Sequence, residues 1–283
     1  MQKQGYRHST VYYCIRALRS IARHCSLLDP EATKTYLATA SVSESRKVKL
    51  AEDLARFYSY KHIPFQKPNY QRIGRLPFIP LESEVDQLIS GVGRKTSTFL
   101  QLIKETGIRA REAWNLKWTD IDSERASVNV APEKNSNPRQ LKISNRLVSM
   151  LNALPRPYEY VFRNPKIDPL SSAEVFRRLL ARQRRRIAQK LQNPRLEQIT
   201  FKTLRHFKAT MEYHRTKDIL HVMQLLGHKN IRNTLVYTHL VSFESDDYAC
   251  KVAKTLEETR ALIEDGFDYV TDMDGHKIFR KRK

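Results

Sequence analysis

A small set of basic side chains and one tyrosine have types and spacing suited to chemistry on a phosphate. Arg109 lies two residues after Gly107, which ends a predicted helix, and Lys202 and Arg205 stand at positions i and i+3, which share one helical face. Tyr237 comes 9 residues after His228. Taken singly, each has an ordinary structural explanation, as a surface charge, a core histidine or a packed tyrosine. Their order and spacing are what indicate a function.

Other catalytic chemistries find little support in the sequence. His206, His214, His221 and His228 are spaced by 8, 7 and 7 residues, but the glycine before the last one ends the helix that would align them. The chain has no His-Glu-x-x-His or Cys-x-x-Cys motif, no close carboxylate cluster, and no phosphate-binding loop. We therefore expect no metal, no nucleotide and no other cofactor.

The charge of the chain indicates a nucleic-acid partner. Among 283 residues, 51 Lys and Arg face 30 Asp and Glu, a net charge of +21, and 40% of the residues are hydrophobic, which is enough for a folded core. Residues 1–75 carry a net +9 and residues 76–240 a net +14, whereas residues 241–283 carry −2. Phosphate neutralisation supplies most non-specific DNA affinity. Double-stranded DNA is the expected partner, and a basic surface without a partner is the alternative.

Cysteine usage and hydropathy bear on the compartment. The three cysteines are widely spaced, so the sequence predicts no disulfide framework. No apolar run approaches the roughly 18–20 residues that a membrane span needs. We expect a reduced cytoplasmic protein that associates with the nucleoid and not with a membrane.

Periodicity predicts two blocks of structure and a tail. The first block holds three helices before a proline-rich segment, and the second holds five helices and a hairpin whose tip carries Lys134. A short final helix holding Tyr237 closes the second block. The tail is predicted to hold a helix and a second hairpin. The predicted ranges are helices over 9–25, 31–40, 43–63, 82–90, 96–105, 171–191, 203–213, 216–226 and 251–263, strands over 126–131 and 139–143, and a hairpin over 267–280.

Several segments, in this order, resemble the tyrosine recombinases, or phage-type integrases. TGIRARE at 106–112 resembles the first arginine motif of that family, and Lys134 falls where the family keeps a catalytic lysine between two strands. KTLRH at 202–206 is similar to the His-x-x-Arg box, LLGH at 225–228 to the Leu-Gly-His box, and TLVYTH at 234–239 to the segment that bears the nucleophile. The tail looks like that of archaeal members, and the chain as a whole resembles archaeal integrases and Xer-like members.

The resemblance implies a mainly α fold with a small β-sheet (α+β). It divides the chain into a helical core-binding (SAM-like) domain at 1–63, a linker at 64–80, a catalytic domain of the DNA breaking-rejoining fold at 81–240, and a tail at 241–283 that docks in cis or on a neighbouring subunit. The two domains are expected to form a C-shaped clamp on DNA.

The resemblance also implies a reaction. Tyr237 attacks phosphorus to give a 3′-phosphotyrosyl enzyme and a free 5′-hydroxyl, without metal or ATP. Two arginines hold the non-bridging oxygens, a lysine protonates the leaving oxygen, and Lys202 and His228 stabilise the phosphorane or assist proton transfer. The arginines that hold the oxygens are Arg109 and Arg205, and the lysine that protonates the leaving oxygen is Lys134. Glu112 and His206 are supporting residues.

DNA contacts and assembly are further expectations. Exchange between paired recombination sites implies self-assembly to a tetramer on DNA. Phosphate contacts are expected from the most basic predicted helix, through Arg177, Arg178, Arg182, Arg184, Arg185 and Arg186.

One position departs from the family pattern. Lys202 stands where most members have histidine. Some archaeal integrases and the type IB topoisomerases also carry lysine at this position. A topoisomerase-like DNA-relaxing enzyme is therefore the nearest alternative function. A catalytically idle DNA-binding regulator is another, although every catalytic position of the pattern is filled. The DNA target and the biological process are not encoded in these motifs.

Overall fold

Within its described residues the protein is mostly helical with two small antiparallel sheets, which confirms the predicted fold class. The chain folds into two compact units. The first unit comprises Met1–Pro77 and Arg163–Arg182, and the second unit comprises Phe78–Phe162 and Gln183–Lys283. The residues described by this computed structural model are 1, 4–72, 74, 76–133, 136–238, 248–273 and 275–282.

Three helices build the core of the first unit. They are α1 (His8–Ile21), α2 (Pro30–Thr39) and α3 (Glu44–Lys61), as the sequence predicts. Asp29 and Ser43 accept hydrogen bonds from backbone N–H groups in the first turns of α2 and α3, which fixes where these helices begin. The buried side chains of this core are Ala17, Ile21, Leu37, Leu50, Ala51, Leu54 and Tyr58.

The second unit begins at Phe78, within segment 64–80, which has no helix or strand at its described positions. Its first helices are α4 (Glu82–Gly91) and α5 (Arg94–Thr106), and the predicted hairpin is formed by β2 (Ser127–Val130) and β3 (Arg139–Lys142). A short element shows few periods of its hydrophobic pattern and is easily missed. The elements missed for this reason are α6 (Ala110–Trp114), β1 (Ile121–Asp122), which pairs with β2, and α7 (Asn145–Asn152).

Four more α-helices precede the tail in the described part of the chain. They are α8 (Pro169–Lys190), whose first part belongs to the first unit, α9 (Phe201–Thr216), α10 (Ile219–Leu226) and α11 (Arg232–Leu235). The prediction that the last of these holds Tyr237 is wrong. The backbone N–H of Tyr237 donates to the carbonyl three residues earlier, so the chain tightens into a turn as α11 ends.

The tail forms a separate sheet with one helix. The predicted helix over 251–263 is wrong in its first part, because these residues extend β4 (Tyr248–Ala253), which pairs with β6 (His276–Arg282). The Thr255 hydroxyl accepts from the backbone N–H of Glu258 and so starts α12 (Leu256–Glu264) later. The hairpin is confirmed: β5 (Asp268–Met273) pairs with β6.

No helix among the described residues is long and apolar enough to cross a membrane.

An aromatic cluster in the second unit supports the helix that carries Arg205. Phe99 on α5 is 1% exposed and contacts the rings of Trp114, Phe162 and Phe201 edge to face, with ring centroids 6.1, 4.9 and 4.9 Å away. Phe201 is the first residue of α9. The cluster therefore fixes the start of α9 against α5.

We expect Phe99→Ala to lower the free energy of unfolding by about 3–5 kcal/mol, because a large buried ring leaves a cavity. Leu191→Ala, which removes a side chain that is 44% exposed in the same unit, should lower it by about 0.5 kcal/mol or less. Urea denaturation followed by circular dichroism measures both. Equal losses in the two variants would show that the cluster does not support the unit.

Candidate active site

Arg205 is buried at the centre of the site and joins two helix ends. It lies on α9, whose first turn is capped by the Thr200 hydroxyl. Its guanidinium donates to the carbonyl of Gly107, 2.6 Å away, and to the carbonyl of Leu226, 2.9 Å away. Gly107 and Gly227 cap the C-termini of α5 and α10 with φ of +64° and +66°, which glycine adopts without strain. The partial negative charge of both helix ends thus faces one cation.

Arg205 stays cationic in this setting. Burial and then the neighbouring Arg109 lower the pKa of Arg205 to about 10, against the opposing effect of Glu112. A pKa of about 10 leaves the guanidinium charged at neutral pH. The site therefore holds a buried positive charge close to its second arginine.

Glu112 connects Arg109 to the hairpin of β2 and β3. Its carboxylate accepts from the backbone N–H and the side chain of Arg109 at 2.9 and 3.0 Å, from Arg139 at 2.6 Å and from the Ser136 hydroxyl at 2.9 Å. Burial alone would raise the pKa of Glu112, but these donors, Arg139 first, lower it to about 2. Glu112 is therefore an anion that orients two arginines.

The base of the hairpin also rests on the Leu-Gly-His segment. The backbone N–H of Asn137 donates to the carbonyl of Gly227 at 3.2 Å. A Cβ at Gly227 would lie 2.7 Å from Arg139 Nη1 and 3.1 Å from the Asn137 oxygen. Only glycine fits this approach, in addition to its positive φ. Lys134, the predicted acid at the hairpin tip, lies outside the described residues.

His228 has both ring nitrogens engaged. Nε2 lies 3.0 Å from Arg205 Nη2, and Nδ1 lies 2.9 Å from the Thr234 hydroxyl. Burial and then the charge of Arg205 lower the pKa of His228 to about 4, so the ring is neutral at neutral pH. Because a guanidinium only donates, Nε2 accepts and Nδ1 carries the proton. His228 thus holds Arg205 on one side and the start of the Tyr237 turn on the other.

Tyr237 is buried beside these cations. Its side chain is 2% exposed and packs with Ala209, Val222 and Leu226. Its hydroxyl lies 2.9 Å from Nδ1 of His206 on α9. Burial raises the pKa of Tyr237, against the opposing effect of Arg205 and Arg109. The phenol is therefore protonated in the free protein.

The structure brings together six of the residues singled out from the sequence. Lys202 is exposed on the first turn of α9, and its charge contributes to the low pKa of His206. Of the α8 arginines, Arg184 is half-buried and donates to the carbonyl of Ile199 at 2.6 Å. The residues brought together are Arg109, Glu112, Arg205, His206, His228 and Tyr237. The α8 arginines with exposed side chains are Arg177, Arg178, Arg182, Arg185 and Arg186.

Sequence reasoning missed three side chains that hold the site together: Ser136, Arg139 and Thr234. A signal for Arg139 exists, since it shares strand parity with Leu141 and must face the same side of β3. Ser136 and Thr234 carry no such signal. A hydroxyl near a turn has many local partners, and the fold alone decides that these two reach Glu112 and His228.

Residues 81–243 match the model of the phage integrase family. The chain belongs to this family. It is therefore an enzyme of the tyrosine-recombinase class, and the family supports site-specific recombination. A tyrosine recombinase of Thermosipho africanus (strain TCF52B) is 27% identical over 235 residues, which cover 78% of this chain and 80% of that protein.

Other similarities agree with the family. The tyrosine recombinase XerA of Saccharolobus solfataricus (strain ATCC 35092 / DSM 1617 / JCM 11322 / P2) is 27% identical over 161 residues, 56% of this chain and 51% of that protein. A solved structure of the Tn1549 transposon integrase, in complex with transposon right end DNA, is 16% identical with a TM-score of 0.61. It covers 92% of this chain and 94% of that one. At this identity the likeness concerns the fold.

We expect Glu112→Gln to lower the free energy of unfolding by about 3–5 kcal/mol, because it leaves buried Arg139 without its counter-charge. Glu159→Gln, which breaks the exposed pair with Lys117 in the same unit, should cost about 0–1 kcal/mol. Chemical denaturation at pH 7 measures both losses.

The pH dependence of this loss has a defined sign. The folded pKa of Glu112, about 2, lies below its ordinary value of 4.5. The stabilisation is therefore complete above pH 4.5 and is lost as the pH falls towards 2. The difference between the native protein and Glu112→Gln should shrink over this window. A difference that is constant with pH would show that the charge of Glu112 does not stabilise the fold.

Proposed function

We propose that this chain cleaves and rejoins DNA strands at a specific site through a covalent bond between phosphorus and Tyr237. The observation that carries the proposal is the placement of one buried tyrosine hydroxyl 2.9 Å from His206 Nδ1, where burial raises its pKa and the charges of Arg205 and Arg109 oppose that rise. Two guanidinium groups suit the charge that a phosphodiester gains on attack. The family membership of residues 81–243 supports the same reaction.

The residues divide the reaction between them. Arg109 and Arg205 bind the non-bridging oxygens, and Tyr237 attacks to give a 3′-phosphotyrosyl bond. The departing 5′-oxygen takes a proton from Lys134. The exposed residue Lys202 adds positive charge near the phosphorane. The phosphotyrosyl bond conserves the energy of the phosphodiester, so rejoining needs neither ATP nor a metal.

Strand exchange between two DNA duplexes determines how many subunits must act together. Each duplex has two strands to cut, so two paired sites require four tyrosines. We therefore propose a tetramer on double-stranded DNA. The helical first unit serves as the core-binding module and the second unit as the catalytic module, with the tail available for docking on a neighbouring subunit. The recombinase complexes with DNA among similar folds support DNA as the partner.

Relaxation of supercoiled DNA is the second candidate function. Lys202, exposed at the start of α9 in place of the family histidine, is the observation that favours it. The two functions share every step up to the phosphotyrosyl bond. They differ in whether the rejoining hydroxyl comes from the same strand or from another duplex.

Covalent trapping tests the proposal and separates the candidates. The protein is mixed with DNA of the source organism, without metal or ATP, and denatured with SDS, and the linked DNA is sequenced. We expect adducts at one inverted-repeat locus, their absence with Tyr237→Phe, and their retention with Tyr60→Phe, whose side chain is 76% exposed. Adducts scattered without sequence preference would favour relaxation. Tight DNA binding with no adduct would contradict the assignment of Tyr237.

The exposed arginines of α8 give a separate prediction about DNA affinity. Replacing both Arg185 and Arg186 with Gln should weaken binding equally for specific and random duplexes, since phosphate contacts carry no sequence information. The slope of log K against log salt should fall by about 0.9 for each phosphate that the double variant no longer neutralises. Arg260→Gln on α12, where the arginine pairs with Glu264, is the control and should change neither quantity. Fluorescence anisotropy between low and high salt measures both, and an unchanged slope in the double variant would remove α8 from the interface.

A further inference from the structure

The hydrogen bond between His206 and Tyr237 has no role in the reaction as described so far. We propose that His206 is the general base that takes the proton of Tyr237 as the hydroxyl attacks phosphorus. This inference rests on the proposed function, because it concerns the same nucleophile. From the sequence, His206 is expected only to support the neighbouring arginine. The inference gives it a catalytic role.

The geometry places one ring nitrogen of His206 within hydrogen-bond distance of the reacting atom. Nδ1 of His206 lies 2.9 Å from the Tyr237 hydroxyl oxygen, within the range for a direct proton transfer, and the two rings lie 5.7 Å apart with a 52° angle between them. Lys202 is exposed at the start of α9, and His228 already uses both nitrogens on Arg205 and Thr234. These two family positions are therefore not the ones in contact with the hydroxyl.

Both partners are held in place by the rest of the site. His206 follows Arg205 on α9, and Arg205 is hydrogen-bonded to the ends of two other helices. These bonds hold the backbone from which the ring of His206 projects. The Tyr237 backbone N–H donates to the carbonyl of Thr234, whose hydroxyl is bonded to His228. The contact between the ring and the hydroxyl thus follows from the same framework that positions the arginines.

The charges around His206 leave it able to accept a proton at neutral pH. Burial first, then Lys202 and Arg205 on its own helix, lower the pKa of His206 to about 4, so the ring is neutral. Tyr237 is the titratable group that it contacts from the adjoining turn, and Arg109 and Arg205 act on that phenol. A phosphate arriving between these arginines brings negative charge, which raises the pKa of His206 towards its ordinary 6.5.

The proton balance of the step is closed. The Tyr237 O–H bond breaks, its oxygen bonds to phosphorus, and the proton moves to Nδ1 of His206. The bond from phosphorus to the 5′-oxygen breaks, and that oxygen receives a proton from Lys134. On rejoining, the 5′-hydroxyl returns its proton to Lys134 and His206 returns its proton to the departing Tyr237. The phenol becomes more acidic as its bond to phosphorus forms, so a base of low pKa accepts the proton during attack.

Two variants of His206 separate a base from a hydrogen-bond acceptor. Asn places an amide near the position of Nδ1, so His206→Asn can keep a hydrogen bond and cannot take a proton, whereas His206→Ala removes both. We expect His206→Asn to slow adduct formation about 10²–10⁴-fold at the trapped site with unchanged DNA affinity. The native rate should rise with pH between about 4 and 6.5, the free-protein and ordinary pKa of this histidine, and His206→Asn should lose this rise. His214→Asn, on the same helix, is the control and should retain the native rate.

A modified DNA separates the base from the acid. When sulfur replaces the bridging 5′-oxygen, the leaving group needs no proton. His206→Asn should stay slow on this DNA, whereas Lys134→Ala should recover. Recovery of His206→Asn would assign His206 to leaving-group protonation, and a native rate and pH profile in His206→Asn would remove it from the reaction. Failure of the native protein to form adducts would instead overturn the proposed function.

Nitrogen-15 NMR of histidine-labelled protein tests the contact without DNA. We expect Nδ1 of His206, assigned by its loss in His206→Asn, to be unprotonated at pH 7 and to shift in Tyr237→Phe. A protonated Nδ1 at pH 7 would make the histidine a donor to the phenol and would overturn the inference.

Discussion

The need of a buried guanidinium for acceptors organises the whole site. Arg205 is 8% exposed and meets this need with the carbonyls of Gly107 and Leu226 and with His228. The acceptors belong to two separate parts of the chain, the end of α5 and the segment from the end of α10 to His228, so satisfying one side chain on α9 brings both parts together. A buried charge without partners is costly, so any movement that takes these acceptors away from Arg205 is unfavourable.

The charges of the site do not cancel. Arg109, Arg139 and Arg205 meet a single carboxylate, that of Glu112, within the described part of the site. The surplus charge is positive, and it lies next to the phenol of Tyr237. Burial raises the pKa of this phenol, so it is protonated. A phosphodiester supplies the missing negative charge. Binding of that anion and activation of the tyrosine are thus linked through one electrostatic imbalance.

The sequence predicts long elements well and contacts between motifs poorly. Most helix and strand positions follow from periodicity, as α9 and the β2–β3 hairpin show. Periodicity places the start of α12 too early because a strand pairing, invisible in the local pattern, competes for residues 251–253. The motifs place Arg205, His206 and Tyr237 in one region. They do not give the bond between the last two, since it depends on how the turn after α11 packs on α9.

The positioning residues explain why the site needs more than its motif. Arg139 and Ser136 bind Glu112, and Thr234 binds His228, so each residue that holds a reacting group is itself held by a polar neighbour. Catalysis by oriented charges depends on groups that do not reorganise during the reaction. A guanidinium in water would have to be reoriented for each phosphate, whereas Arg205 is already fixed by two carbonyls before DNA arrives. The rigidity of these contacts is therefore part of the chemistry, and it resides largely in residues outside the recognisable motifs.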